Sequence, residues 1–338
     1  MASALFQSLP AGDQRDALEV AAGRSGRRAH LLEKDVWVVW TLRALVEAPF
    51  SQHLTFKGGT SLSKAYQIIR RFSEDIDITH DIRALAPDLV TPGDEEPLPG
   101  NRSQAGRWRR KIETLLVAWV GEHALPAVQE SFAQAHLSAD IRAEGDRLSV
   151  RYPPLFDDYG FVQPEVLAEF GARATGEPRA ERLIACDAAV HLPDVEFPAV
   201  RPLVMAAERT FWEKATAAHV FCRQQRRRGE RLSRHWHDLV RLDDASLADT
   251  AIADRFLALS VARHKSVFFP EKDAAEKWID YSAAVNGELQ LVPAGPAYDA
   301  LEDDYARMVS GGMLLDDAEA FDDLMRRCAD IEQRANQA

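Results

Sequence analysis

Cysteine is scarce in this 338-residue chain, which contains three: Cys186, Cys222 and Cys328. They are widely spaced and odd in number, and they match neither a disulfide framework nor a zinc-binding pattern. A reducing compartment is the simplest setting for such a chain, and we therefore expect a cytoplasmic protein.

Long apolar runs are also missing. No window approaches the roughly 18 consecutive apolar residues of a membrane-spanning helix, so we expect no transmembrane segment and no membrane partner. Residues 1–20 lack a basic segment followed by an apolar one, which argues against a signal peptide.

Positive charge is in deficit, with 41 Lys and Arg against 53 Asp and Glu and a net charge of −12. This balance argues against binding nucleic acid over the whole surface, but it is compatible with a local basic groove. Hydrophobic residues make up 46% of the chain, which excludes a mainly disordered protein.

The hydrophobic pattern changes from mixed to helical along the chain. Helical spacing predicts helices over about 12–48 and 106–135, and the proline- and glycine-rich segment 86–105 predicts a loop insertion or lid. Alternating patterns predict strands, which lie at 54–56, 75–79, 148–152, 166–170 and within 183–190. We therefore predict an α+β domain over residues 1–200 and a mostly helical region over residues 201–338.

Two aspartates on a predicted strand are the first candidates for chemistry. Asp75 and Asp77 are two residues apart, so both carboxylates leave one face of the strand, whereas Ile76 and Ile78 point into a core. Close carboxylates repel each other unless a cation lies between them, and Mg²⁺ or Mn²⁺ prefers such oxygen ligands. A solvated strand face is the alternative explanation.

A glycine turn lies upstream of these aspartates. Residues 56–61 predict the end of a strand, a tight turn, and a helix with Thr60 or Ser61 as its N-cap and its end near Arg70. Glycine lets a backbone approach a phosphate closely, and free N–H groups attract anions. The candidate nucleotide-binding residues are Gly58, Gly59, Thr60, Ser61 and Ser73.

The run FKGGTSLSKAYQIIRRFSEDIDI, residues 56–78, resembles the opening motif of the AbiEii/MenT-type nucleotidyltransferase toxins. That family is a branch of the polymerase-beta-like nucleotidyltransferase superfamily, and Glu33-Lys34-Asp35 is similar to its N-terminal signature. The resemblance implies a polymerase-beta-like core, with a small mixed sheet and flanking helices. It also implies a toxin of a toxin–antitoxin or phage-defence pair that transfers nucleotides from an NTP to RNA, the tRNA 3′ end in particular. A cognate antitoxin protein is the implied partner.

The same resemblance implies roles for three later residues. Glu169 matches a third metal-binding carboxylate, although a strand-edge glutamate would look the same. Lys214 matches a lysine on the helix after the sheet, where it would neutralise the triphosphate; a surface lysine is the alternative. Asp238 matches an aspartate that orients a basic residue or the nucleotide, but a simple helix pair with Arg234 also explains it.

Arginines are dense between residues 223 and 234, where six of the twelve residues are arginine. Such a patch repels itself without a partner, so we predict RNA contact here. The candidates are Arg226, Arg227, Arg228 and Arg231. A second cluster around Trp108 is better explained as solvated surface.

Two other functions remain open from the sequence. Nucleotide transfer to a small molecule or to a protein hydroxyl would use the same site. A nucleotide- or RNA-binding module without catalysis is also possible, but the presence of both Asp75 and Asp77 weakens it.

Overall fold

The structure is a computed structural model that describes residues 4–157, 162–225, 231–311, 313–315 and 318–338. The chain divides into two compact units. The first comprises Met1–Ala65, Phe72–Gly93 and Arg110–Val204, and the second comprises Tyr66–Arg71, Asp94–Arg109 and Met205–Ala338. Two short segments that precede residue 200 thus belong to the second unit. The domain division at residue 200 stays a prediction.

Eleven strands lie in the described part of the chain. In chain order they are β1 Ala4–Leu5, β2 Leu54–Lys57, β3 Ile76–His80, β4 Asp140–Glu144, β5 Arg147–Arg151, β6 Glu165–Gly171, β7 Arg179–Glu181, β8 Ile184–Ala185, β9 Val195–Glu196, β10 Ala199–Val200 and β11 Leu203–Met205. Seven of them form a mixed sheet in the order β4-β5-β6-β3-β2-β11-β7, in which β3 is central. β3 runs parallel to β6 and antiparallel to β2.

The helices of the described ranges connect and flank these strands. They are α1 Ala11–Ser25, α2 Ala29–Val46, α3 Gly58–Lys64, α4 Ile82–Leu85, α5 Arg102–Trp119, α6 Leu125–Gln134, α7 Ala207–Gln224, α8 Arg234–Asp244, α9 Leu247–Ala253, α10 Arg255–Phe268, α11 Tyr281–Ala284, α12 Pro296–Ser310 and α13 Phe321–Gln337. The α+β class predicted from the sequence is confirmed. None of these helices has both the length and the apolar character that crossing a membrane requires.

The two faces of β3 follow the alternation of its sequence. Ile76 and Ile78 are buried, and Ile78 is in register with Phe56 of β2 and Phe170 of β6, so apolar side chains line one face. Asp77 is half-buried and lies on the opposite face. The sheet thus presents a carboxylate on one side because its core occupies the other.

Several predicted boundaries differ from the structure. The helix predicted to begin at Thr60 or Ser61 begins at Gly58 and ends at Lys64, well before Arg70. Gln67 has a φ of 56°, which a right-handed helix does not contain. The apolar residues that recur at helical spacing beyond Lys64 are therefore buried or half-buried without forming a helix. Strand β3 begins at Ile76, so Asp75 directly precedes it.

The other predicted elements are broken into shorter pieces. The first helical stretch is two helices, because Gly26 at φ 73° ends α1 with a left-handed residue. The stretch predicted over 106–135 consists of α5, a π-helical segment Val120–Ala124, and α6. The strand expected within 183–190 is limited to β8, and a 3-10 helix Asp187–His191 follows it.

The second unit is built on a cluster of helices. Helix α7 packs against α8, α9 and α10, and α13 packs against α8 and α9. Trp212 and Trp236 are fully buried between them, and each indole N–H donates to a main-chain carbonyl, of Ala251 at 2.8 Å and of Leu291 at 2.5 Å respectively. Both tryptophans therefore fill the core without leaving an unpaired donor.

Candidate active site

Gly58 forms the turn between β2 and α3, and its backbone lies against the carboxylate of Asp77. Its φ is 80°, in the left-handed region that favours glycine. A Cβ built at this position would overlap the Asp77 side chain, with Oδ2 closest and Cγ at 2.9 Å. The glycine turn and the second aspartate are therefore in direct proximity.

Two hydroxyl groups tie α3 to the segment that precedes β3. The Thr60 hydroxyl donates to the main-chain carbonyl of Asp75 at 2.5 Å and is hydrogen-bonded to the Ser73 hydroxyl at 2.9 Å. The buried Ser61 hydroxyl donates to the carbonyl of Gly58 at 2.9 Å. These hydroxyls fix the shape of the turn and the position of Asp75 beside it.

The Glu33-Lys34-Asp35 segment of α2 makes buried polar contacts with the same region. Lys34 is buried, and its Nζ lies 2.6 Å from Oε2 of Glu74 and donates to the carbonyl of Gln163 at 3.1 Å. Glu33 accepts the main-chain N–H of Leu155 at 2.8 Å. Because Glu74 directly precedes Asp75, its ion pair with Lys34 holds the start of the acidic strand in place.

Helix α3 is held at its far end by a second buried ion pair. Nζ of Lys64 lies 2.6 Å from Oδ1 of Asp35 and 2.6 Å from Oδ1 of Asp187. Burial raises the pKa of the Asp35 carboxyl to about 6; the charge of Asp187 adds to this rise, and Lys64 opposes it. The short helix that follows the glycine turn is thus fixed at both ends.

Glu169 lies directly beside Asp77 on the neighbouring strand. The two residues are register partners in the parallel pair of β3 and β6. Burial raises the pKa of the Glu169 carboxyl, and the charges of Asp77 and Asp75 raise it further, whereas Arg147 lowers it. Asp77 and Asp75 are therefore close enough to Glu169 to affect its ionisation.

The donor set fits a divalent cation that a substrate phosphate helps to hold. No group of three or more His, Cys, Asp or Glu side chains in the described ranges is arranged to hold a metal ion by itself. Oε1 of Glu169 is 3.0 Å from Arg147. Asp75 and Asp77 are the two carboxylates predicted as metal ligands. Mg²⁺ is commonly held by one or two carboxylates together with water and substrate phosphates. A role for Glu169 as a third ligand stays a prediction.

Asp238 is completely buried in the second unit, between two cations. Nε and Nη2 of Arg71 lie 2.7 and 2.8 Å from its two oxygens, and Nζ of Lys214 lies 2.8 Å from Oδ2. Lys214 is only 7% exposed, so the alternative of a surface lysine is wrong. Phe211, Ala218 and Phe221, which share its face of α7 at helical spacing, are buried with it.

Within this triad the two pKa values shift in the same direction, which favours ionised Asp238 and disfavours charged Lys214. Burial by itself would raise the pKa of the Asp238 carboxyl, but Arg71 and Lys214 together hold it well below its usual range. Burial lowers the pKa of the Lys214 ammonium, and Arg71 lowers it further, whereas Asp238 opposes the change. Asp238 thus fixes the position of a basic residue; a part for either residue in catalysis stays a prediction.

The arginine-rich segment is described only at its edges. Arg226, Arg227 and Arg228 lie outside the described residues. Arg231 is exposed, and its main-chain N–H donates to Oδ1 of Asp304 at 2.7 Å. RNA contact by these four arginines stays a prediction. Trp108, in the second basic cluster, is 6% exposed and cannot serve as a stacking surface.

Sequence reasoning missed the buried partners of the candidate residues. Arg71 stands in the recognised motif, yet its partner Asp238 is 167 positions away. Lys34 and Glu74 are likewise 40 positions apart. A buried lysine or arginine beside apolar residues was the available signal that some acid had to lie opposite.

Substituting Gly58 by alanine is expected to slow transfer by about tenfold or more, because the new Cβ displaces the Asp77 carboxylate. A tenfold loss corresponds to a rise of ~1.4 kcal/mol in the activation free energy. A stability loss of about 1–3 kcal/mol accompanies it, from backbone strain. Gly145→Ala is the matched control: its φ is 63°, but a Cβ there meets nothing within 4 Å. Urea unfolding and transfer rates of both variants check this; equal activity in the two would contradict the role of the turn.

A glycine turn packed against Asp77 of the central strand, with Glu169 on the next strand, is an arrangement suited to a nucleotide and a cation. Comparison with known proteins shows which family has this fold. The model of the family described as nucleotidyl transferase AbiEii toxin, type IV toxin–antitoxin system, matches residues 40–327. The chain therefore belongs to the AbiEii nucleotidyltransferase toxin family, and the resemblance seen in the sequence is confirmed.

Other comparisons are more distant. No curated protein matches the chain. Among solved structures, the chain is similar to MenT4, a nucleotidyltransferase toxin from Mycobacterium tuberculosis H37Rv, with 16% identity and a TM-score of 0.38 over 94% of this chain and 97% of that one. The family assignment rests on the family model.

Proposed function

We propose that this nucleotidyltransferase toxin transfers nucleotides from an NTP to the 3′ end of a tRNA, in a reaction that requires Mg²⁺ or Mn²⁺. The observation that carries the proposal is the Asp77 carboxylate packed against the Gly58 turn, with Asp75 and Glu169 close by. The site thus combines two features: a glycine turn whose backbone can approach a phosphate closely, and carboxylates that a cation would stabilise.

Each residue of the first unit has a separate task in this proposal. The backbone of the turn at Gly58 and Gly59 approaches the triphosphate. Asp75 and Asp77 hold the cation, while the Thr60 and Ser73 hydroxyls keep Asp75 in position. When bound, the cation activates the acceptor hydroxyl and stabilises the leaving pyrophosphate.

Lys214 and Asp238 enter the proposal through the family resemblance. We assign Lys214 the neutralisation of charge that builds on the triphosphate, and Asp238 the orientation of that ammonium group. The ion pair of 2.8 Å between them supports the second assignment.

The acceptor and the partners follow from the arginine-rich segment and the family. Six arginines in residues 223–234 favour an RNA acceptor, because phosphates would offset their mutual repulsion. A toxin of a toxin–antitoxin system has a cognate antitoxin, which we take to be a protein. A tRNA acceptor places the reaction in the cytoplasm.

The proposal is tested by incubating the protein with each α-labelled NTP and total tRNA, with Mg²⁺, with Mn²⁺ and with a chelator. Label at the tRNA 3′ end with either metal, and none with chelator, is the expected result. Parallel reactions contain a protein mixture or small hydroxyl compounds in place of tRNA. Label on those acceptors alone would overturn the RNA assignment, and NTP binding without pyrophosphate release would overturn catalysis.

A further inference from the structure

Four charged side chains stand in one row across the sheet of the first unit. Arg147 on β5 is the register partner of Glu169 on β6, Glu169 is the partner of Asp77 on β3, and Asp77 is the partner of Lys57 on β2. Register partners on neighbouring strands project from the same face, with Cβ atoms about 4.5–5.5 Å apart in antiparallel pairs. The row therefore has two acids in the middle and a cation at each end.

A contribution to folding stability does not explain why Arg147 and Lys57 stand at the two ends of this row. The Arg147–Glu169 pair is 3.0 Å long, but its side chains are 55% and 39% exposed. Exposed pairs of this kind contribute little to folding. Lys57 is the residue directly before Gly58, so its position is set by the turn.

We propose that Lys57 and Arg147 are phosphate-binding residues on opposite sides of the carboxylates, with the nucleotide triphosphate at Lys57 and a phosphate of the acceptor RNA at Arg147. The inference rests on the proposed function and extends it to both substrates. Lys57 adjoins the turn that approaches the triphosphate. Arg147 stands three strand spacings away, about 14 Å along the sheet, which suits a second phosphate group.

The chemistry of the two side chains matches these assignments. A lysine ammonium is a point charge that can follow the oxygens of a flexible triphosphate, whereas an arginine fork binds one phosphate through two parallel hydrogen bonds. In the structure the guanidinium of Arg147 is bonded to a carboxylate of the site itself. A phosphate that binds beside Glu169 would therefore contact the guanidinium of Arg147, which the ion pair with Glu169 already holds in position.

The test compares each variant with a matched control in the full-length protein. Arg151→Met is the control for Arg147→Met, because Arg151 pairs with Glu165 across the same two strands, at 2.9 Å and with 59% exposure. Lys111→Met is the control for Lys57→Met, since Lys111 is a partly exposed lysine with a surface partner. Unfolding curves verify that each variant in the test folds.

Two binding measurements are made without turnover, and steady-state transfer is measured beside them. Lys57→Met should weaken binding of the NTP by about tenfold or more, as expected for loss of a charged hydrogen bond, and leave tRNA binding unchanged. Arg147→Met should weaken tRNA retention on filters and reduce its salt slope by about one, with NTP binding unchanged. Arg147→Lys should recover the salt slope but only part of the affinity.

The failing outcomes are distinct. Arg147→Met behaving like Arg151→Met, or Lys57→Met like Lys111→Met, would overturn the inference for that residue. Loss of NTP binding instead of tRNA binding in Arg147→Met would overturn the division between substrates. If the unmodified protein labels no RNA with any NTP, the proposed function fails, whatever the variants do.

Discussion

Asp77→Asn protein is expected to lose nucleotide transfer almost completely while keeping its fold. The amide preserves the shape of the side chain against the Gly58 turn but removes the negative charge that a cation requires. Charge stabilisation by a bound metal is worth several kcal/mol, and each ~1.4 kcal/mol is a factor of ten, so the rate should fall by about 10³-fold or more. Label transfer to the acceptor in a time course measures this.

Stability should respond in the opposite direction. Asp77 lies beside Glu169, and its charge raises the pKa of that carboxyl, so neutralising Asp77 relieves repulsion. The thermal midpoint of Asp77→Asn should therefore equal or exceed that of the unmodified protein.

Glu165→Gln is the matched control for this experiment. Glu165 is a half-buried carboxylate on the same strand and face as Glu169, and it accepts hydrogen bonds from Ser149 and Arg151. Its loss should leave transfer near the unmodified rate. Transfer by Asp77→Asn at the rate of Glu165→Gln would remove Asp77 from the site.

The largest effect on stability is expected from Asp238→Asn. The substitution leaves Arg71 and Lys214 buried without the carboxylate that balances both charges. Removing one member of a buried ion pair typically costs about 3–5 kcal/mol in the free energy of unfolding. Denaturation in urea measures the loss.

Asp244→Asn, on the same helix, provides the comparison. Asp244 pairs with Arg327 and Arg241, but its side chain is 47% exposed, so a change of about 0–1 kcal/mol is expected. If Asp238→Asn were no less stable than Asp244→Asn, the buried triad would not hold the second unit together.

The contribution of Asp238 also has a defined pH dependence. Its folded pKa is well below the usual 3.8, so its stabilisation is fully present above the unfolded pKa, declines as the pH falls below that value, and is lost as the pH falls through the folded pKa. The stability difference between the unmodified protein and Asp238→Asn should therefore shrink below about pH 4. An unchanged difference at lower pH would show that the carboxylate charge is not its source.

Much of the candidate site follows from local sequence. The alternation of Asp77 between Ile76 and Ile78 predicts a strand with one acidic face, and the burial of both isoleucines agrees. A glycine turn ahead of it predicts a close approach, which Gly58 realises against Asp77. These inferences succeed because strand periodicity and glycine conformation are properties of a few adjacent residues.

Helix length was harder to infer, because apolar spacing reports burial and not backbone conformation. Residues after Lys64 keep apolar side chains at Ile69 and Phe72, and both are buried outside any helix. Tertiary packing overrode the local preference there.

The amino-acid sequence by itself thus determined the glycine turn, the acidic face of one strand and the family of the protein. Only the tertiary structure decided the partners: Lys34 with Glu74, Arg147 with Glu169, and Arg71 and Lys214 with Asp238. The sequence can indicate that a single buried charge needs a partner. Which residue becomes that partner depends on strand register and helix packing. Those are set by burial of apolar surface elsewhere in the chain.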